Sequence, residues 1–389
     1  MKIEKCRICG NRKFKEIISL GNQCLTSVYP KPESKDPSKS RLELVLCDSK
    51  NKPELECNLV QLYHNADIEE MYGTTYGYFS SISPTMVSHL EDIIKFTKRH
   101  VNLNAGDAVL DIGCNDGTLL NKYGFETKLK RYGVDPSSEK FLHMFQKDIK
   151  VLTDFFSYNK VNEFSEGKKF KVISSIAMFY DIDDPVEFAK SIELLLDDEG
   201  FWIIEIAYLP LMMKNLAYDQ IMHEHLTYLS LRQMEIIFEK SNLKVVDFSI
   251  NSVNGGSILL AACKKDFKCD INVEKIKTLR EEEKVLANFD VYKRFAERIK
   301  KHKSKLLKLL NDLKEKKSTI MGYGASTKGN VILNYCGINK KLLPEICDQN
   351  PEKPGLFTPG SRIPIVSKKE MRKKNPDYIL VLIWHFRKE

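Results

Sequence analysis

The sequence predicts an α/β protein in three parts: a small cysteine-containing N-terminal module, a central domain with a doubly wound sheet, and a C-terminal Rossmann-like α/β domain. Three observations predict this class. Cysteine pairs are spaced through the first 60 residues, helical and strand-like segments alternate from about residue 66, and the alternation restarts after a Lys/Glu-rich helical stretch at 273–316. We place the domains at 1–65, 66–268 and 269–389, within the two to three domains that 389 residues suggest.

The composition is that of an ordinary globular protein. The chain is 42% hydrophobic and 29% charged, which excludes wholesale disorder and the fibrous classes. Its longest apolar stretches, near 257–263 and 378–386, are shorter than the roughly 20 residues of a membrane-spanning helix. Because the first residues lack the apolar core of a signal peptide, we expect a cytoplasmic protein with reduced thiols and no membrane partner.

The N-terminal module carries the pattern of a metal site. Cys6 and Cys9 form a Cys-x-x-Cys pair, and Cys47 and Cys57 follow, which gives four thiolates for one structural Zn²⁺. A module this small gains stability from a metal because its own core is marginal. Nine residues separate the second pair, so Cys24 is a substitute ligand, and unliganded thiols are the alternative.

Helical and strand-like segments alternate through the central region. The residue pattern predicts a capping box that opens a helix at 230–233. The other elements are helices at 83–99, from 118 and at 185–196, and strands at 108–112, 132–134, 172–176 and 201–206. This order favours a doubly wound sheet.

A glycine turn follows the strand at 108–112. Glycines there let the backbone approach a ligand, and free N–H groups at the following helix can meet an anionic group. A dinucleotide fingerprint would need glycines where Asn115 and Thr118 stand, so the turn disfavours NAD. The pattern instead resembles motif I of class I S-adenosylmethionine-dependent methyltransferases. Its candidate cofactor-binding residues are Asp111, Gly113, Asn115, Asp116 and Gly117.

Acidic and aromatic residues follow the next two strands. Asp135 ends the second strand, where a carboxylate can accept hydrogen bonds from both ribose hydroxyls. Asp154 and Phe155 follow a third strand-like segment and are candidates for contacts with adenine. The alternative for the whole region is a ligand-free α/β turn.

The triplet His223-Glu224-His225 lies in a loop before the helix that begins near residue 231. Its spacing suits a metal pair, a general base with an orienting carboxylate, or two ordinary histidines. The residues alone leave these three interpretations open.

With these motifs in order, the chain closely resembles the sugar C-methyltransferases that act on nucleotide-linked 4-keto sugars, including the 3-C-methyltransferases of deoxysugar pathways. The similarity covers essentially the whole chain. It rests on the N-terminal cysteines and on motifs at 20–23, 71–78, 111–118, 223–228, 254–257 and 322–330.

The resemblance implies a zinc module, a methyltransferase domain that uses S-adenosylmethionine, and a C-terminal domain that helps to hold the nucleotide sugar. By position, His225 is the base that removes a proton from the acceptor carbon, with Glu224 beside it. Tyr76, His223 or an ordered water would donate to the developing oxyanion. The residues implied near the substrate are Tyr78, Glu205 and Tyr228. Met222 and His385 depart from the family pattern, which has Tyr and Asn there.

A second glycine turn begins at 322. Gly324, Ser326, Lys328 and Asn330 supply a close-approach turn and donors that suit a phosphate. Alone, this turn fits a degenerate NAD site or a structural turn, whereas the resemblance favours a nucleotide diphosphate. The preceding helix has a basic face, which is either simply solvated or attracts anions.

We therefore expect a C-methyltransferase that acts through an enolate on the carbon beside a 4-keto group, at C3, of a nucleotide-diphosphate-linked sugar, with no nucleic-acid partner. The alternatives are a zinc-containing nucleic-acid methyltransferase, a non-catalytic nucleotide-sugar-binding protein, and an NAD-dependent sugar oxidoreductase. Salt-sensitive nucleic-acid binding or a nicotinamide absorbance assay would identify the first or the last.

Overall fold

The computed structural model describes residues 1–48, 57–67, 70–71, 79–124 and 128–386. Its strands form an antiparallel N-terminal sheet, a large central sheet and a parallel C-terminal sheet. In this part of the chain, no helix combines the length and the apolar composition needed to cross a membrane.

The N-terminal sheet includes a strand from the central region. Its strands are β1 (Phe14–Cys24), β2 (Lys39–Cys47), β3 (Val60–Leu62) and β9 (Thr227–Tyr228), in that spatial order. β9 follows the His-Glu-His triplet directly and pairs antiparallel with β3. The triplet is thereby attached to the module that carries the cysteines.

The central sheet has the strand order β10-β11-β8-β7-β4-β5-β6. β11 runs antiparallel to β8 and β10, and the other neighbours pair in parallel. Its strands are β4 (Ala108–Ile112), β5 (Lys130–Val134), β6 (Ile149–Leu152), β7 (Phe170–Ile176), β8 (Leu196–Ala207), β10 (Leu243–Asn251) and β11 (Ser257–Lys264). Every residue of β4 is buried, as expected for a parallel strand covered on both faces.

Helices cover this sheet and connect it to the rest of the chain. They are α1 (Pro84–Lys98), α2 (Thr118–Lys122), α3 (Tyr158–Phe164), α4 (Pro185–Leu195), α5 (Leu209–Asn215), α6 (Leu231–Glu239) and α7 (Val273–Glu283). Side chains of Ser83, Ser157 and Asp184 accept from backbone N–H groups at the starts of α1, α3 and α4.

The C-terminal sheet is parallel throughout, with the order β14-β13-β12-β15. The long helix α8 (Phe289–Glu315) precedes it and buries an apolar face, while its lysines and arginines lie outside. The remaining elements are β12 (Ile320–Tyr323), α9 (Thr327–Cys336), β13 (Ile346–Asp348), β14 (Ile365–Ser367), α10 (Lys368–Lys374) and β15 (Tyr378–Val381).

The predicted fold class is confirmed, although several of its elements were not predicted. The expected strand at 108–112 is β4, and the expected helix at 185–196 is α4 to within one residue. The sequence did not predict β1 or the antiparallel hairpin of β10 and β11. The domain boundaries stay a prediction, because one apolar cluster joins residues of all three proposed domains, among them Leu44, Met212 and Leu333.

A buried carboxylate fixes α7 against the N-terminus of α6. Glu283 accepts hydrogen bonds from Tyr208 Oη at 2.7 Å and Ser230 Oγ at 2.8 Å. It also accepts from the backbone N–H groups of Leu231 at 2.8 Å and Arg232 at 3.0 Å. A negative charge at a helix N-terminus satisfies donors that have no partner within the helix.

We predict that Glu283→Ala lowers the free energy of unfolding by about 3 kcal/mol or more, because it leaves several buried donors unpaired. Urea unfolding measures the effect. The exposed neighbour Glu282 provides the matched control, and Glu282→Ala should change the free energy by no more than about 0.5 kcal/mol. Equal effects of the two substitutions would contradict this role.

Candidate active site and zinc centre

A cavity of about 710 Å³ lies at the carboxyl ends of β4, β5 and β7. Residues that follow these strands line it, together with the segment 222–226 and the first residues of α9. In doubly wound sheets, ligands bind at this edge, where the strand order reverses. The cavity therefore joins both glycine-turn regions and the His-Glu-His triplet in one place.

The first glycine turn has the backbone that its glycines allow. Gly113 has φ of 79° and Gly117 has φ of 76°. Residues with a side chain rarely adopt such positive φ values. A Cβ atom at Gly117 would also lie 2.6 Å from the Phe145 ring. Gly113 and Asn115 line the cavity, whereas Gly117 is not among the lining residues.

Asp135 connects the end of β5 to this turn. One carboxylate oxygen accepts from the backbone N–H of Asn115 at 2.9 Å, and the other accepts from that of Ser137 at 2.6 Å. The side chain lines the cavity and keeps acceptor capacity for further hydrogen bonds. This arrangement fits a ligand that presents ribose hydroxyls.

Asp111 lies beneath the turn and is fully buried. Ser174 Oγ donates to it at 2.6 Å. Burial raises the pKa of Asp111, the Ser174 hydrogen bond lowers it and the charge of Asp135 raises it, and the resulting pKa is about 7. The carboxyl group of Asp111 therefore titrates near neutral pH.

The other predicted cofactor residues divide between the cavity and its support. Phe155 lines the cavity with 47% of its surface exposed. Asp154 points elsewhere, because it accepts from Lys160 Nζ at 2.5 Å and is absent from the described lining. Asp116 accepts from Thr118 Oγ1 at 2.6 Å and from the backbone N–H of Ser81 at 2.8 Å, so it supports the start of α2.

His225 is buried in the cavity wall. Its ring lies 4.2 Å from the Tyr180 ring, centroid to centroid. Burial lowers the pKa of His225 well below its usual value and the charge of Lys328 lowers it further, whereas a hydrogen bond to the backbone of Gln220 acts in the opposite direction. The imidazole is neutral at pH 7 and has a nitrogen able to accept a proton.

His223 and Glu224 line the same wall. His223 Nε2 lies 3.2 Å from the backbone oxygen of Ser40, and burial lowers its pKa to about 4. Burial raises the pKa of Glu224. No described cluster of metal-ligating side chains includes the triplet, which leaves the metal-pair interpretation without support.

Glu205 forms a polar cluster with His89 and Asn251, and the sequence identified only Glu205 as a candidate. Its oxygens lie 2.8 and 2.9 Å from His89 Nε2, and Asn251 Nδ2 donates to it at 2.8 Å. Glu205 lines the cavity. His89 carries no motif signal, and Asn251 lies on a strand that was not predicted.

The second glycine turn contributes only its helical end. Gly324 has φ of 88°, and a Cβ there would lie 2.6 Å from Ile383, so its neighbours fill the space. Asn330 is buried and donates to the backbone oxygen of Thr26 at 2.7 Å. Ser326 and Lys328 do line the cavity.

Protein groups occupy the region around Asp348, at the end of β13. Lys353 Nζ lies 3.7 Å from Asp348 and donates to the backbone oxygen of Ala325 at 2.7 Å. Tyr29 Oη donates to the same oxygen at 2.7 Å. An acid at this position would hold the ribose of a dinucleotide, so this packing disfavours the NAD-dependent alternative.

The remaining predicted site residues fall outside the cavity lining or outside the described residues. Tyr228 is buried with its hydroxyl on the backbone oxygen of Gln220 at 3.1 Å, and it is absent from the described lining. Tyr76 and Tyr78 lie outside the described residues. Met222 and His385, the two departures from the family pattern, both line the cavity.

Cys6, Cys9, Cys47 and Cys57 form a tight cluster whose sulfur atoms all lie within 4.8 Å of one another. Their closest contacts are 3.3 to 3.5 Å, near the roughly 3.8 Å that tetrahedral zinc with 2.3 Å bonds implies. Hydrogen bonds from the Cys47 thiol lower the pKa of Cys6 and Cys9. The donor set fits zinc, and Cys24 lies outside it, near Gly360.

Arg7, between the first two cysteines, links this cluster to the cavity. Its Nε donates to Asp183 at 2.9 Å, and another guanidinium nitrogen donates to Asn65. Asn65 also donates to Asp183, at 3.1 Å, and both residues line the cavity. The zinc module thus orders part of the cavity wall.

Family models match nearly the whole chain in consecutive segments. The model described as "Putative zinc binding domain" matches 6–72, that described as "Methyltransferase domain" matches 86–247, and that described as "C-methyltransferase C-terminal domain" matches 252–389.

Curated relatives agree with these matches. The chain is 27% identical over its full length to C-methyltransferase NovU of Streptomyces niveus, of which it covers 91%. It is 28% identical to the tRNA U34 carboxymethyltransferase of Campylobacter lari over 31% of this chain and 42% of that protein.

Solved structures with some likeness include an S-adenosylmethionine-dependent methyltransferase from Clostridium acetobutylicum, with 15% identity, a TM-score of 0.35, and coverage of 46% of this chain and 92% of that one. The plantazolicin methyltransferase BpumL has 16% identity, a TM-score of 0.36, and coverage of 46% and 86%.

The mixed sheet, the glycine turn with Asp135 and the four-cysteine cluster define a zinc-containing class I S-adenosylmethionine-dependent methyltransferase. The full-length similarity to NovU and the three consecutive family models support a C-methyltransferase family of the NovU type for this chain. Its cofactors are S-adenosylmethionine and zinc.

We predict about one zinc per chain, because four thiolates complete a tetrahedral site. Cys47→Ser should lose most of this zinc, as measured by elemental analysis of protein purified without chelator. Cys336→Ser removes a buried thiol outside the cluster and should retain the metal. A folded, active wild-type protein without zinc would contradict the assignment.

The raised pKa of Asp111 predicts that the free energy of unfolding depends on pH. A carboxyl group whose pKa rises on folding stabilises the protein fully below its unfolded pKa of about 3.9, and this stabilisation is lost as pH rises through the folded value. Relative to Asp111→Asn, the wild type should therefore lose about 1.4 kcal/mol of unfolding free energy per pH unit between pH 4 and 7. Urea unfolding at several pH values would contradict this if the difference stayed constant.

Proposed function

We propose that the protein transfers a methyl group from S-adenosylmethionine to C3 of a nucleotide-linked 4-keto sugar through an enolate. One observation carries the proposal most directly: a neutral, buried histidine, His225, lines the same cavity as the glycine turn and Asp135. A base and a methyl-donor site that share one cavity suit carbon methylation beside a ketone. The full-length similarity to a C-methyltransferase supports the reaction type.

Asp135, Gly113 and Phe155 would hold the methyl donor. Asp135 would accept hydrogen bonds from the ribose, the turn at Gly113 leaves space for close approach, and Phe155 offers an aromatic face. S-adenosylmethionine supplies an electrophilic methyl group, whose bond to sulfur breaks with its electron pair remaining on sulfur.

His225 would act as the general base. Its neutral imidazole accepts the proton from C3, and the C–H electron pair becomes the double bond of the enolate while the carbonyl electrons move to oxygen. The lowered pKa keeps the base unprotonated at neutral pH and favours later release of the proton to water. The negative enolate offsets the cost of charging this buried ring.

The acceptor sugar would contact the polar groups opposite the donor site. Glu205 is held by His89 and Asn251, so its carboxylate is fixed as an acceptor for a sugar hydroxyl. Tyr76 and Tyr78 retain their proposed roles near the substrate. The residues from 269 onward would help to hold the nucleotide, with Ser326 at the start of α9 as the nearest phosphate donor.

The cavity disfavours a nucleic acid as the acceptor. Its described lining includes eight carboxylates and one ammonium group, Lys328. Nucleic-acid binding depends on a concentration of basic side chains at the phosphates. A concentration of lysines and arginines lies instead on α8, outside the described lining of the cavity.

We predict that His225→Asn lowers methyl transfer by about 10²-fold or more, the lower end of general-base contributions. It should leave S-adenosylmethionine affinity nearly unchanged. In deuterated water without a methyl donor, the wild type should exchange the C3 proton of a thymidine-diphosphate- or uridine-diphosphate-linked 4-keto-6-deoxyhexose, as followed by mass spectrometry.

The exposed His143 supplies the control substitution, and His143→Asn should exchange at the wild-type rate. If the His225→Asn protein exchanged the C3 proton at the wild-type rate, another residue would be the base. Loss of zinc from His225→Asn would instead make the triplet a metal site and overturn the mechanism.

A further inference from the structure

Lys328 lies in the first turn of α9 and faces the cavity that His225 and His385 also line. Its ammonium group donates to the backbone oxygen of Asn254 at 3.2 Å. Asn254 has φ of 55° in the turn between β10 and β11, so an unusual backbone conformation presents this oxygen. Two separate parts of the chain, α9 and the turn at Asn254, therefore position the ammonium group.

The positive charge of Lys328 is poorly compensated by the protein. The hydrogen bond of its ammonium group to Asn254 goes to a neutral carbonyl, and the residue lies at the positive end of a helix. Asp219 is the carboxylate that raises its pKa, but burial outweighs this and lowers the pKa of Lys328. Burial lowers the pKa of both His225 and His385, and the charge of Lys328 lowers it further; an imidazole in either protonation state offers no negative charge to the ammonium.

An anion from the substrate would complete this environment. A nucleotide-linked 4-keto sugar offers two anionic groups: the diphosphate on C1 and the oxyanion that develops at C4. C4 lies across the six-membered ring from C1, whereas C3, where the base acts, is bonded to C4. Lys328 lines the same cavity as His225, and its charge acts on that imidazole, so with C3 at His225 we assign the ammonium to the C4 oxygen and not to the diphosphate.

We propose that Lys328 is a catalytic residue that donates a hydrogen bond to the ketone oxygen and stabilises the enolate, an inference that rests on the function proposed above. As His225 takes the C3 proton, the carbonyl electron pair moves to oxygen next to the ammonium. The pair returns when C3 forms its bond to the methyl group, and the C4 ketone is restored. Lys328 keeps its proton throughout.

The test measures two quantities separately in Lys328→Met and Lys328→Arg. The first is deuterium exchange at C3 of the same nucleotide-linked keto sugars, at saturating substrate. The second is calorimetric affinity for thymidine diphosphate and uridine diphosphate, which lack the sugar. Lys303→Met is the matched control, because Lys303 is also partly buried and donates to a backbone oxygen, that of Tyr335, outside the cavity lining.

We expect Lys328→Met to slow exchange by about 10²-fold or more, the range for removing one oxyanion donor. Nucleoside diphosphate affinity should change less than twofold. Lys328→Arg should recover part of the exchange rate, because it keeps the charge, and Lys303→Met should match the wild type in both quantities.

Other results would overturn the proposal. Normal exchange in Lys328→Met would exclude the catalytic role, and a tenfold loss of nucleoside diphosphate affinity with exchange retained would make Lys328 a diphosphate ligand. Absence of exchange in the wild type would contradict the proposed function itself. The affinity for S-adenosylmethionine shows whether each variant is folded. If Lys328→Met loses this affinity, Lys328→Gln, which also removes the charge, takes its place in both measurements.

Discussion

The burial of residues 221–230 between the three sheets is the constraint on which the site depends. The N–H of Leu226 donates to the backbone oxygen of Tyr180 near the central sheet, and the N–H of Leu62 in β3 donates to Leu226. Leu229 bridges to the residue before α5. Because the central region and the N-terminal sheet both make backbone hydrogen bonds with this segment, they hold His225 in the cavity wall. The zinc module is part of that support, which gives a structural metal a direct connection to the chemistry.

Burial also determines the protonation states in the cavity. Charges there interact more strongly than in water, and each buried group tends toward its neutral form. His225 is consequently neutral, and Asp111 titrates near pH 7. Burial lowers the pKa of Lys328 and the charge of Asp219 raises it, so a substrate anion in the cavity would stabilise the ammonium form further. The same low polarity that makes these groups costly to bury gives them strong effects on a developing enolate.

The sequence predicted those parts of the protein in which local pattern and fold agree. The fully buried β4, the glycine turn and the cysteine spacing each have a residue pattern that points to one local structure. The sequence did not predict β1 because register shifts near Ile18 and Gly21 break the alternation of buried and exposed residues along the strand. The support for Glu205 and the setting of Lys328 depend on contacts between residues more than 70 positions apart, such as His89 with Glu205 and Lys328 with Asn254. No local pattern encodes such contacts.

A crystal structure with S-adenosylhomocysteine and a nucleotide-linked 4-keto sugar tests the central claim most directly. The account predicts the ribose hydroxyls on Asp135, C3 of the sugar beside His225, and the ketone oxygen within about 3.2 Å of Lys328 Nζ. A sugar ring bound away from His225, with the diphosphate on Lys328, would contradict it.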